Sequence, residues 1–339
     1  MNIDNSKEFY MNRPRRSRVG AFFDRVRRQK ASNILIVFIT IQILAVIFSL
    51  IFPEKFRYLS IANIQVLLKA IPQIGIIALG VNLLMISGEF DLSTGATFTF
   101  TALIMAKAFN AGVPVWIAAL ISLLVGAFIG FSNGVIVVKS KVPSFIITLG
   151  AMYFWRGMIL VLSQAQNERF DTSGAFKNIF SANVGPVQVQ FIWLIIVAFI
   201  TWFILERHRL GNHFFAAGGN RNAAIALGIN VDRVKIIAFV ITGVLAAFSG
   251  LISTIRVATI SPIQGEGLEL QAIAACVIGG TALMGGSGSV LGVIIGAALL
   301  YTIQDFLLLL RAPGFYLKLF LGLVIIIAVV LNQIVRKEE

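Results

Sequence analysis

Two carboxylates set between glycines, in Ser87-Gly88-Glu89-Phe90-Asp91-Leu92-Ser93-Thr94-Gly95, are of a type and spacing that could do chemistry. Paired acids serve general acid–base work, but an intramembrane hydrolase would also need an activated nucleophile or a metal set. No His-Glu-x-x-His and no ligand cluster accompanies them. Charges at membrane depth are costly and point to function, whereas at the end of a span a carboxylate is cheap. Asp91 and Ser93 read as a capping pair for the helix that follows, because both side chains accept from free first-turn N–H groups. Glu89 has no such role.

A second stretch, Gly279-Gly280-Thr281-Ala282-Leu283-Met284-Gly285-Gly286-Ser287-Gly288, has the glycines of a phosphate loop but lacks Gly-Lys-Ser/Thr. Gly286-x-Gly288 is followed by Gly292, one residue too late for a dinucleotide fingerprint. The chain therefore shows no nucleotide site of its own. Before this stretch, Gly265-Glu266-Gly267-Leu268-Glu269-Leu270 opens an apolar run. His208 and His213 have no Cys or carboxylate at ligand spacing and read as solvated loop residues, so no metal is expected. Cys276 is the single cysteine and lies in an apolar run, where it serves as a small hydrophobe.

The elements that must position these residues follow from composition. Of 339 residues, 58% are hydrophobic and 13% charged, and the mean hydropathy is +0.90. A water-facing surface would need about twice as many charges, so the chain reads as an all-α polytopic membrane protein. The net charge of +13 falls in short segments between apolar runs, which argues against nucleic acid. Ten apolar runs read as spans: 33–52, 63–87, 96–111, 114–138, 143–163, 190–205, 236–256, 268–284, 288–310 and 315–334. The first is too long for a cleaved signal peptide and reads as a retained span. Pro72 falls inside the second run and predicts a kink. Small residues recur four apart at Ser122, Gly126, Gly130, Gly134 and at Gly288, Gly292, Gly296, a pattern that lets helices approach closely within one chain or between two.

With the N-terminus in the cytoplasm, 18 of the 28 basic residues fall on the cytoplasmic side, so both termini and the loop 206–235 are expected there. The chain then divides into a basic tail 1–32, a membrane domain 33–335 and a short tail 336–339. The loop carries Gly218-Gly219-Asn220 and then Asn222-Ala223-Ala224-Ile225-Ala226-Leu227 closed by Gly228, which reads as one short helix between glycine turns that faces a partner. On the opposite side a basic excess remains, with Lys69 and Lys107 expected to snorkel and Arg169, Lys177 and Arg311 available for contact. Ionisable residues fall mostly near run ends, with Arg156 the one clearly inside.

Four marks then occur in order: Gly88 to Gly95; Lys141-Val142-Pro143-Ser144-Phe145-Ile146-Ile147-Thr148-Leu149-Gly150 with Arg156-Gly157; Gly219-Asn220-x-Asn222-Ala223-Ala224-x-x-x-Gly228-Ile229; and Gly267-x-Glu269-Leu270 through Gly279-Gly280-Thr281 into Gly285-Gly286-x-Gly288. On these residues the chain resembles the ribose permease family of bacterial ATP-binding-cassette importers, whose members also serve other monosaccharides and autoinducer-2. Where that family commonly has two glycines and an apolar residue before Asp-Leu-Ser, this sequence has Gly88-Glu89-Phe90. The resemblance implies a permease in the inner membrane with no catalytic residue and no cofactor. It implies a homodimer, a separate cytoplasmic ATPase, and an extracytoplasmic binding protein that delivers a small polar solute, a monosaccharide foremost and autoinducer-2 or a nucleoside as alternatives. It puts Gly219, Asn220, Asn222, Ala223, Ala224, Gly228 and Ile229 at the ATPase. Asn82, Glu89, Asp91, Ser93, Glu269, Gly279, Gly280, Thr281, Gly285 and Gly286 become candidates for the pathway or for helix breaks. The rival is an ion-gradient-driven transporter, which would bind its coupling ion at the membrane midplane.

Overall fold

Apolar runs of about twenty residues can satisfy their backbone polar groups inside a bilayer only by coiling or by closing a barrel, and these coil. A computed structural model describes residues 31–330 apart from 186, 314, 317, 321, 324, 325 and 327–329. Most of the basic tail, the C-terminal tail and much of the tenth run lie outside the described residues. The helices are α1 (Ala31–Ile51), α2 (Ile61–Ile86), α3 (Thr94–Asn110), α4 (Val115–Ser140), α5 (Ser144–Ser163), α6 (Gly174–Ser181), α7 (Val189–Glu206), α8 (Arg209–Gly219), α9 (Arg221–Ala226), α10 (Val231–Val257), α11 (Leu268–Ile278) and α12 (Val290–Leu309). Seven of them, α1, α2, α4, α5, α7, α10 and α12, are long and apolar enough to cross a membrane. The fold is thus a polytopic helical bundle.

Two expectations need correcting. The eighth run, 268–284, is a helix only as far as Ile278, because Gly279 and Gly280 end it and the chain stays non-helical to Ser289. The loop 206–235 holds two helices, not one: Gly218 and Gly219 are the last residues of α8, and Asn220 is both its C-cap and the N-cap of α9. Its side chain accepts from Ala223 N at 3.0 Å. His208 similarly caps α8 by accepting from Leu210 N.

α2 and α10 form the centre. α10 packs on α4, α2 and α3, while α2 also meets α12, α7 and α11. The helix of α2 runs through Pro72, and every residue from Ile74 to Ile86 is buried. Both small-residue stripes are used within this chain. A Cβ on Gly130 would stand 2.2 Å from the Phe239 carbonyl of α10, and one on Gly292 would stand 2.1 Å from the Gly279 carbonyl. Gly130-Phe131-Ser132-Asn133-Gly134 spells a nucleophile elbow, Gly-x-Ser-x-Gly, yet lies inside α4 with no strand-to-helix turn to present Ser132.

At the end away from α8 and α9, strand β1 (Glu168–Arg169) pairs antiparallel with β4 (Thr259–Ile260), and β2 (Asn183–Val184) pairs with β3 (Val187–Gln188). α6 presses Phe176 and Phe180 into an aromatic cluster, with Phe176 4.8 Å from Trp116 and Phe180 5.5 Å from Trp193 between ring centroids. Lys107 does not merely snorkel: it lies 3.0 Å from Glu168, which also accepts from Asn110 at 2.6 Å. Burial would raise the Glu168 carboxyl, but the hydrogen bonds from Lys107 and Asn110 outweigh it and hold it below the usual carboxylate range.

Candidate translocation and coupling site

Three backbones meet where α2, α8 and the α11–α12 connection converge. Gly286 N donates to Ile86 O at 2.9 Å. A Cβ on Gly218 would fall 2.0 Å from Ile86 O and 2.8 Å from Gly286 N, and one on Gly285 would fall 2.9 Å from the Gly88 Cα. Gly285 and Gly286 have φ of +82° and +77°, which side chains with a Cβ rarely adopt. Glycine is thus required here for close approach and for turning at once. The α8–α9 unit is wedged between two segments that sequence placed far apart.

Beside this junction the acidic stretch threads along the start of α5. Phe90 N donates to Ser144 Oγ at 3.0 Å and Leu92 N to Thr148 Oγ1 at 3.1 Å. Asp91 accepts from Ser93 N and Ser93 Oγ at 2.7 and 2.6 Å, so its carboxylate closes the turn before α3 instead of capping the first turn. Ser93 makes no capping bond of its own, because its hydroxyl is occupied by Asp91 and by Asn133. Glu89, which sequence left without a role, forms an ion pair with Lys235 in the first turns of α10. Next to it opens a cleft of about 460 Å³ lined by Lys141, Pro143, Arg221 and Asp232.

Deeper in, Asn82 of α2 accepts from Thr281 Oγ1 at 2.7 Å and holds the residues after α11. At the other end of α11 lies a second charge at depth, Glu269, where sequence had placed Arg156 alone. Glu269 is 7% exposed; its Oε1 accepts from Gly267 N at 3.1 Å. Its Oε2 has no partner among the described residues. Arg156, in the middle of α5, donates from Nη1 to Gln264 O at 2.9 Å, and its Nη2 is also unpartnered among them. Gly95 makes room for this group, since a Cβ there would stand 2.1 Å from Glu269 Oε2. A helix that starts inside the bundle, with free polar atoms around its first turn, can hand a hydroxylated solute from one hydrogen-bonding group to the next.

Only one residue of α9, Ala224, is buried, against the core of the bundle. Ile229 is half-buried and packs on the core, and Gly219, Asn220, Asn222, Ala223 and Gly228 are exposed. Sequence reasoning missed Leu227, 79% exposed, and Ile225, 48% exposed, the apolar side chains that α9 turns outward. Their signal was two large aliphatics among the otherwise small or polar residues from Ala216 to Gly228. Arg169 and Arg311 are exposed, and Lys177 is half-exposed 3.4 Å from Asp171.

The family model described as "Branched-chain amino acid transport system / permease component" matches residues 63–329. The chain belongs to this permease family. It is 36% identical over 301 residues to the D-allose transport system permease protein AlsC of Escherichia coli, covering 88% of this chain and 91% of that protein. It is 36% identical over 300 residues to the ribose import permease protein RbsC of Haemophilus influenzae, covering 87% and 92%. With the autoinducer 2 import system permease protein LsrC of Salmonella choleraesuis it shares 32% over 286 residues, covering 84% and 82%. No solved structure matches. The chain is therefore the permease subunit of an ATP-binding-cassette importer, a multi-pass protein of the bacterial inner membrane whose ATPase is a separate subunit. An ion-gradient transporter is the wrong class for it.

Proposed function

We propose that this permease passes a monosaccharide along the groups around α11, and that the ATPase drives it through α8 and α9. The observation that carries the coupling is the exposure of Leu227 and Ile225 on a unit wedged by Gly218 between Gly88 and Gly285. A push on α9 reaches the turn after α2 and the turn after α11 through backbone contact, without long side chains that could absorb it. Both termini and α8–α9 then lie in the cytoplasm, the basic tail 1–32 and the tail 336–339 flank the membrane domain 33–335, and two copies form one pathway. Relatives named for D-allose and ribose support a monosaccharide, and the Asn82 Nδ2, unpartnered among the described residues, suits its hydroxyls. Asp91, Ser93, Thr281 and the glycines at 279, 280, 285 and 286 shape the turns, while Glu89 braces them through Lys235.

Leu227→Asp and Ile225→Asp test the coupling in proteoliposomes holding the assembled importer. The variants should insert normally and lose most ATP-driven uptake. Full uptake by both would make α8–α9 a connector. Ala224→Glu is a poor probe, because Ala224 faces the permease.

A further inference from the structure

A polar pocket lies among α2, α7 and α10, at the end of the bundle away from α8–α9, lined by Lys69, Gln73, Gln190, Ser249, Ser253 and Arg256. Gln190 is the second residue of α7 and Arg256 the next to last of α10, while Lys69 and Gln73 come from the first half of α2, which puts the pocket toward one end of the bundle. Two of its groups are already engaged: Ser249 Oγ donates to Gln73 O at 2.7 Å, and Ser253 Oγ accepts from Gln264 at 3.4 Å. Three are not. Gln190 is 1% exposed, and neither its Nε2 nor its Oε1 has a partner among the described residues. Lys69 and Arg256 have no carboxylate partner among them either.

Burying an amide with both ends unpaired, beside two uncompensated cations, is costly unless something else satisfies them. The charge asks for an anion. The amide asks for a group that both accepts and donates. The enclosed space is about 10 Å³, room for a single oxygen-sized atom, so the remainder of the ligand stands in the mouth. We propose that this pocket seats one oxygen of a phosphate group that also carries a hydroxyl, either hydrogen phosphate or the phosphoglycerol headgroup of an anionic lipid. Lys69 and Arg256 hold the charge, Gln190 Nε2 donates to a phosphate oxygen, and Gln190 Oε1 accepts from the hydroxyl.

The test uses the full chain in nanodiscs of phosphatidylcholine, with phosphatidylglycerol added in one arm and inorganic phosphate in another. Thermal midpoint and lipid retention by native mass spectrometry are read for wild type, Gln190→Leu and the double variant Lys69→Gln, Arg256→Gln. A midpoint several degrees higher with phosphatidylglycerol alone, with that lipid retained, assigns the headgroup; a rise with phosphate in either background assigns the free anion. Both variants should lose the rise. Gln190→Leu keeps the side-chain bulk, so it carries the test if the double variant does not fold. No rise in either arm, or a rise of equal size in Gln190→Leu, overturns the proposal.

Discussion

Glu168 shows how a single carboxylate can tie elements together at the far end of the bundle. It accepts from Lys107 and Asn110 of α3 while its own backbone lies in the β1–β4 ladder, so α3, the end of α5 and the end of α10 meet in one residue. Its folded-state carboxyl is held below the usual range, so its contribution to stability is fully present above the unfolded carboxylate value. That contribution is lost as pH falls through the lower folded one. The pair is partly open to solvent, which limits the effect to below about 1 kcal/mol. Glu168→Gln should therefore lower the thermal midpoint slightly at neutral pH and leave it unchanged in acid, where the wild type has lost the same interaction. Equal differences at both pH values would show that Glu168 acts through its shape and not its charge. At this scale sequence could mark Glu89, Asp91, Ser93 and Glu269 as unusual. It could not give the partners that Glu89, Asp91 and Ser93 find across the bundle, because Lys235 and Asn133 come from other helices and carry no spacing signal.

Among the elements, helices were legible wherever an apolar run ended in polar or glycine residues, and they were misread where glycine meant close contact. Gly218 and Gly219 looked like a turn, yet they close α8, because a glycine at a helix end that touches another backbone has the same letters as one that breaks the chain. The run from 268 to 284 failed for the opposite reason. Thr281, Ala282, Leu283 and Met284 are apolar enough to continue a span, and only the positive φ of Gly280 shows that the helix has stopped. The wedge formed by Gly218 gives a direct prediction. Gly218→Ala places a methyl 2.0 Å from Ile86 O, against backbone that cannot rotate away, so α8 must shift at a cost of about 1–3 kcal/mol. Uptake per ATP hydrolysed should fall in the assembled importer while Gly150→Ala, in α5 with open space around it and an ordinary helical backbone, leaves coupling intact. A Gly218→Ala importer with unchanged uptake per ATP would mean that α8 moves independently of α2 and α11.

For the whole molecule, the two ends of the bundle present different surfaces. One end presents α9 and its outward aliphatics; the other gathers Arg169 in β1, Lys177 in α6 and Arg311 beyond α12. That basic excess runs against the orientation bias that loop charges normally show, so its retention calls for a cause in function. Lys69 and Lys107 no longer belong to it, since one lines the α2–α7–α10 pocket and the other pairs with Glu168. What remains is loop charge facing water. In a homodimer this charge doubles into two basic patches about a common axis, and a binding protein with an acidic patch on each lobe would be steered to that mouth and held in register. Lys177 is only partly committed, because its bond to exposed Asp171 is long and screened. Reversing Arg169, Lys177 and Arg311 to Glu together should weaken docking of the loaded binding protein roughly tenfold or more at low salt and flatten the salt dependence of its affinity. ATPase assembly, proposed for the α8–α9 end, should be unaffected. Affinity and salt slope that both match wild type would remove electrostatic docking and leave Arg169, Lys177 and Arg311 as solvated charges only.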